Sequence, residues 1–255
     1  MSVLAAWLVG VAVADLVRGG DRFTVPGIRT ASAVTAAAVT VVVGLLAGLA
    51  QGSSLLLLLV GAGLAVGWVL QSNRALGTGT GSGVAIAVLA IGAAVPLLLS
   101  GLTRPAEGPL AAWLDWTTVP QLRDLSADRF LLLTGLFLAQ LSTGNALVRL
   151  VLASIGAIRP QGVPQPSDRL RGGRLLGPLE RVFILGLGLA GQVTAAGIVI
   201  AAKGLIRWPE LRITPRDLGD ERDDHVSIDA VTEYFLVGSF VSWLLALGAL
   251  WLGLS

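Results

Sequence analysis

Cysteine is absent from this 255-residue chain, so no disulfide, thiolate nucleophile or cysteine-held metal can be built from it. Histidine occurs once, as His225, and lysine once, as Lys203. Charged side chains make up only 13% of the residues, where soluble domains carry about 25%. So few ions cannot coat a globule in water, which disfavours the ordinary soluble class. Catalytic signatures are missing too. There is no Gly-Lys-Ser/Thr phosphate loop, no Gly-x-Ser-x-Gly elbow and no His-Glu-x-x-His pair. The net charge of +2 gives no ground for a nucleic-acid partner.

What the chain has instead is apolar length, with 54% hydrophobic residues and a mean hydropathy of +0.80. Charge-free runs of 44, 29, 19, 21 and 22 residues follow Arg29, Arg74, Arg129, Arg181 and Glu233. About 20 apolar residues cross about 30 Å of hydrocarbon as a helix. The longest run fits two crossings turned at Gln51-Gly52-Ser53, and each of the others fits one. The expected fold is therefore all-α, a polytopic transmembrane helix bundle of about seven spans, with six possible. The spans fall at 2–17, 29–50, 54–72, 83–102, 129–149, 178–203 and 232–253. The first is the weakest: it is short, Asp15 sits near its end, and Ala12-Val13-Ala14 resembles a signal-peptidase site. No basic residue precedes it, which favours a retained span over a cleaved signal or an interfacial segment.

Single-domain organisation is expected, with three notable connections. Residues 104–128 carry Trp113 and Trp116 among Leu110, Leu114, Val119 and Leu122, a spacing suited to a short helix on the membrane surface. Residues 158–177 form a basic loop, assigned to the cytoplasm by the preference of Arg and Lys for that side. Residues 204–231 form an acidic extracytoplasmic loop. The N-terminus would lie outside and the C-terminus inside a bacterial plasma membrane. Trp68 and Trp251 fall near inner span ends, and Trp7, Trp208 and Tyr234 near outer ones, as an aromatic belt would place them. The expected partners are the bilayer, with anionic lipid head groups beside the short basic loops. A second copy or a subunit of a membrane complex is a further possibility.

Gly186-Leu187-Gly188-Leu189-Ala190-Gly191 matches the dinucleotide fingerprint by letter. It sits inside an uncharged run that must be helical in lipid, so close helix packing is the better reading and no cofactor is expected. Gly44, Gly48, Gly61, Gly63 and Gly67 are small positions of the same kind, and Gly77 to Gly83 reads as a connector. His225 stands among Asp220, Glu221, Asp223, Asp224 and Asp229; a solvated acidic loop explains it better than a cation site.

Ionisable residues near the hydrocarbon are the functional candidates, because an unpaired charge there is costly. Arg149 falls at the inner edge of the fifth span and Glu180 at the same depth on the sixth, a plausible pair. Lys203 and Glu233 match at the outer edge. Gln140, Thr143, Asn145 and Arg149 give the fifth span a polar side. Interhelical bonding explains these residues without any function; a polar pathway is the sharper alternative.

The order Gly173-Arg174-Leu175-Leu176-Gly177, Leu179-Glu180-Arg181, Ala190-Gly191-Gln192, Ala201-Ala202-Lys203-Gly204 and Arg207, then Glu233-Tyr234-Phe235-Leu236-Val237-Gly238 and Ser242, is similar to a known pattern. It resembles the C-terminal membrane region of an uncharacterised family of bacterial polytopic proteins, over 173–245. The resemblance implies a membrane location and draws attention to Glu180, Arg181, Lys203, Arg207, Glu233 and Tyr234, but implies no activity. The sequence therefore favours a non-enzymatic membrane protein: a small permease, a lipid-handling protein or an accessory subunit. Its rival is a membrane enzyme acting on lipid-linked or phosphate-bearing substrates. A sensor would need an output domain from a partner.

Overall fold

The computed structural model describes residues 1–19, 26–157, 173–211 and 228–255, and among these every regular element is a helix. The chain divides into two compact units, Met1–Leu150 and Val151–Ser255. Three helices are long and apolar enough to cross a membrane, at Gly27–Leu46, Gly52–Thr78 and Glu233–Leu254. A bent pair, Ala127–Leu141 with Thr143–Ser154, makes a fourth if taken as one span. The basic segment 158–172, the acidic segment 212–227 and His225 lie outside the described residues, as do the side chains of Lys203, Arg207 and Trp208.

The first unit is organised around α1 (Ser2–Arg18), which packs against α2 (Pro26–Leu46), α3 (Gly52–Thr78), α4 (Ser82–Leu98) and α7 (Ala127–Leu141). Its small residues let all four neighbours come close. Ala5, Ala6, Ala12 and Ala14 are fully enclosed, Gly10 lies against Thr40 and the Ala36 carbonyl, and Gly135 of α7 lies against Leu8 and the Ala5 carbonyl. The weakest span by sequence is thus the core helix of its unit. Trp7 and Trp68 are 1% and 0% exposed, so neither serves in an interfacial belt. Trp7 fills the space left by Gly92, and Trp68 faces α1.

Gly44 meets Leu58, Gly61 meets Trp7 and Gly67 meets Val88, so three of the five expected small positions do pack helices together. Gly48 instead ends α2 with φ +77, and the Leu49 N–H reaches back to the Gly44 carbonyl. That backbone conformation favours glycine because no Cβ opposes it. Gly63 faces open space. The connector is shorter than expected: α3 continues to Thr78 and α4 starts at Ser82. Within 104–128 lie two short helices, α5 (Pro109–Trp116) and α6 (Pro120–Arg123). Trp116 is exposed, while Trp113 leans on Phe130 of α7 at 5.8 Å between ring centres.

The segment expected as the fifth span is not one straight helix. It bends by 46° between α7 and α8 (Thr143–Ser154). At the break, the Ser142 hydroxyl donates to the Ala12 carbonyl of α1 at 2.8 Å and to Leu138 at 3.0 Å.

The second unit contains α9 (Gly173–Leu189), α10 (Val193–Leu211) and α11 (Ile228–Leu254), with α9 packed against both others. The expected span 178–203 is therefore two helices. Gly191 adopts φ +74, and the Gln192 N–H donates to the Leu187 carbonyl at 2.8 Å, which closes α9 with a six-to-one bond. Gly188 lies against Leu250 of α11, so the letter match to a nucleotide fingerprint is helix packing and a helix end.

Candidate functional site

Asp15 and Arg18 stand one turn apart on α1, a spacing that puts both on one helix face. The Arg18 Nη2 lies 2.6 Å from Asp15 Oδ1, with both side chains 2% exposed. Three residues of α3 complete the arrangement, Trp68 and Ser72 four apart and Asn73 beside Ser72. Trp68 Nε1 donates to Asp15 Oδ2 at 3.1 Å, and Arg18 Nη1 donates to Ser72 Oγ at 2.7 Å. Arg18 Nη1 also donates to Asn73 Oδ1 at 3.1 Å. Taking an ion pair out of water costs several kcal/mol per ion unless further hydrogen bonds hold it. Trp68, Ser72 and Asn73 supply them.

The bend between α7 and α8 brings a third helix to the same place. With Ser142 fastened to α1, Thr143 comes beside Asp15, its hydroxyl close but without hydrogen-bond geometry. Arg149, further along α8, acts on Arg18 as a second positive charge. Two polar atoms in this region are fully enclosed and unsatisfied within the protein: Asn73 Nδ2 and Thr143 Oγ1. Asn145 and Arg149 are half-buried.

At the other end of α1 the Ser2 hydroxyl donates to Asp128 and to the Arg104 carbonyl, and Asp128 also accepts from the Ala106 N–H. These bonds fasten the start of α1 to the first turn of α7 and to the segment before it. A helix rises 1.5 Å per residue, so the ion pair lies about 20–24 Å along α1 from Ser2. A cavity of about 240 Å³ opens at the turn from α3 to α4, lined by Gln71, Arg74, Thr80, Gly81 and Val84.

No protein-family model matches the chain, and neither a curated protein nor a solved structure matches it. Its chemistry is read from its own residues.

The second unit carries the same set of groups. Glu180 and Arg181 adjoin on α9, Ser242 and Trp243 on α11. Trp243 Nε1 donates to Glu180 Oε1 at 2.6 Å, and Arg181 Nη1 donates to Ser242 Oγ at 3.1 Å. Glu180 and Arg181 are 7% and 1% exposed. In both units an indole holds the acid while a serine accepts from the arginine.

Of the candidates named from sequence, Arg149 belongs to the first unit, where it bears on Arg18, and Glu180 to the second, where it accepts from Trp243. Asn145 shares α8 with Arg149. Glu233 is exposed near the start of α11, and the Lys203 side chain lies outside the described residues. Sequence reasoning missed Asp15, Arg18, Trp68, Ser72 and Asn73. The available signals were the Asp15–Arg18 spacing and the Trp68–Ser72 spacing. Among the described residues no group of three His, Asp or Glu side chains could hold a metal ion.

Proposed function

We propose that this chain is a multi-pass protein of the bacterial plasma membrane, with about seven spans and an external N-terminus. It acts as a small permease whose polar centre is the Asp15–Arg18 pair. The single observation that carries this reading is the enclosed pair with polar atoms left over beside it. Asn73 Nδ2 and Thr143 Oγ1 have no partner within the protein, and a buried polar group without one costs about 1–3 kcal/mol, which a solute passing beside the pair would relieve. Ionisable groups placed inside a helical bundle mark solute and ion paths by default.

The test is uptake into proteoliposomes by the purified full-length protein, using a panel of labelled inorganic ions, carboxylates and amino acids. Asp15→Asn should lower uptake of the transported solute at least tenfold while α-helix content and elution volume stay the same. Uptake no greater than in protein-free liposomes, across the whole panel, would end the permease reading.

A further inference from the structure

The short helix α5 is held at one end of the first unit. Gly108, which precedes it, packs directly on the backbone of Leu46, Ala47 and Gly48 at the end of α2, where a side chain would not fit. Just before Gly108, the Ser53 hydroxyl donates to the Leu102 carbonyl at 2.6 Å and the Arg104 N–H donates to Ser54 Oγ at 3.1 Å, both at the start of α3. The Ser2 hydroxyl, at the start of α1, donates to the Arg104 carbonyl at 3.0 Å. Trp113 of α5 lies against Phe130 in the first turn of α7. The starts of α1, α3 and α7 and the end of α2 therefore share one level, and α5 lies at it.

At 3.6 residues per turn, α5 has three faces. Leu110 and Leu114 share the first, and Leu114 is 3% exposed, so this face is turned onto the protein. Trp113 and Trp116 share the second and are 43% and 81% exposed. Asp115, also exposed, marks the third. The large apolar side chains Leu98 and Leu102, after α4 turns back at the same end, are exposed as well. Resting on the reading of this chain as a membrane protein, we infer that α5 lies in the head-group layer of the bilayer, with Trp113 and Trp116 seated at the hydrocarbon boundary and Asp115 turned to water. Lipid fits this face because an indole joins an apolar ring to a polar N–H, which suits the level where hydrocarbon meets head groups. The same placement sets the depth of the Asp15–Arg18 pair. About 20–24 Å along an upright α1, the pair falls inside a hydrocarbon layer about 30 Å thick, in the half farther from α5.

Because the chain has no cysteine, one nitroxide label can be placed at a time. Full-length Trp116→Cys, Asp115→Cys and Val34→Cys, each labelled and held in nanodiscs of phosphatidylcholine and phosphatidylglycerol, test the inference. Collision rates are read with oxygen, which dissolves in lipid, and with a water-soluble nickel chelate. Val34, 67% exposed and near the middle of α2, is the lipid reference. The ratio of oxygen to nickel collisions should be several-fold higher at position 116 than at position 115, and highest at position 34. Equal ratios at 115 and 116, with a high ratio at 34, would overturn the placement of α5 and leave the membrane reading standing. A label at 34 open to the nickel chelate would overturn both. A label at 116 shielded from both reagents would show that protein, not lipid, covers the tryptophan face, and would overturn the inference too.

Discussion

Asp15 is held from two sides, by Arg18 on its own helix and by the Trp68 indole from α3. Removing one member of such a set leaves the others buried and unmatched, which costs about 3–5 kcal/mol for a broken buried ion pair. Asp15→Asn keeps the shape and an acceptor for Trp68, so it should fall at the low end of that range. Replacing both ions by Leu and Met should cost less than breaking the pair, because the desolvation cost disappears with the charges and what remains is about 1–3 kcal/mol for each neutral partner left unmatched, such as the Trp68 indole. Denaturant titration of the single and double variants, set beside uptake, would separate the two roles: the apolar double variant should be folded and inactive. Trp68→Phe should cost about 1.5–3 kcal/mol, the range for a hydrogen bond to a charged group. These residues were hard to see in the sequence for a physical reason. Asp15 and Arg18 come at the end of a short apolar stretch, where loop charges normally begin, and Trp68 sits where a belt residue would. Only the tertiary packing of α1 against α3 shows that all three are enclosed.

Helices were far more legible than their packing. Charge-free runs locate α2, α3 and α11 because hydrocarbon tolerates neither charge nor unsatisfied backbone, and that constraint acts on composition directly. The bend at Ser142 and the break at Gly191 escape a composition argument, since Ser and Gly are common inside membrane helices. Small residues supply the prediction at this scale. A methyl group added at Gly10 would run into Thr40 and the carbonyl of Ala36, which cannot swing away. Gly10→Ala should destabilise the first unit by about 1–3 kcal/mol, the usual cost of overpacking. Gly63→Ala, at a helical position with open space around it, should be neutral or slightly stabilising because alanine is the better helix former. Equal effects of the two substitutions in the same denaturation assay would show that α1 does not approach α2 as closely as described.

Across the whole molecule the pattern of α1 to α3 returns in α9 to α11. The helices run 17, 21 and 27 residues in the first set and 17, 19 and 27 in the second. In each set the first helix carries the acid followed by the arginine, and the third carries the tryptophan and serine that receive them. The spacings differ, with Trp68 and Ser72 four apart but Ser242 and Trp243 adjacent, so no sequence repeat announces the correspondence. What recurs is a solution to one physical problem: two helices joined through a buried acid and a buried arginine on one of them, each ion capped by a neutral partner on the other. The two sets are not equal in what they leave open. Asn73 and Thr143 keep unsatisfied polar atoms in the first unit, and the second unit shows none among its described residues. The second cluster therefore fits a fastening role, and the first is the one on which the permease reading draws. Trp243→Phe should loosen α9 from α11 by about 1.5–3 kcal/mol, seen as faster amide exchange in those two helices. Exchange in α1 to α3, and solute uptake, should stay as they were. If Trp243→Phe instead abolished uptake as completely as Asp15→Asn does, the division of labour between the two clusters would be wrong.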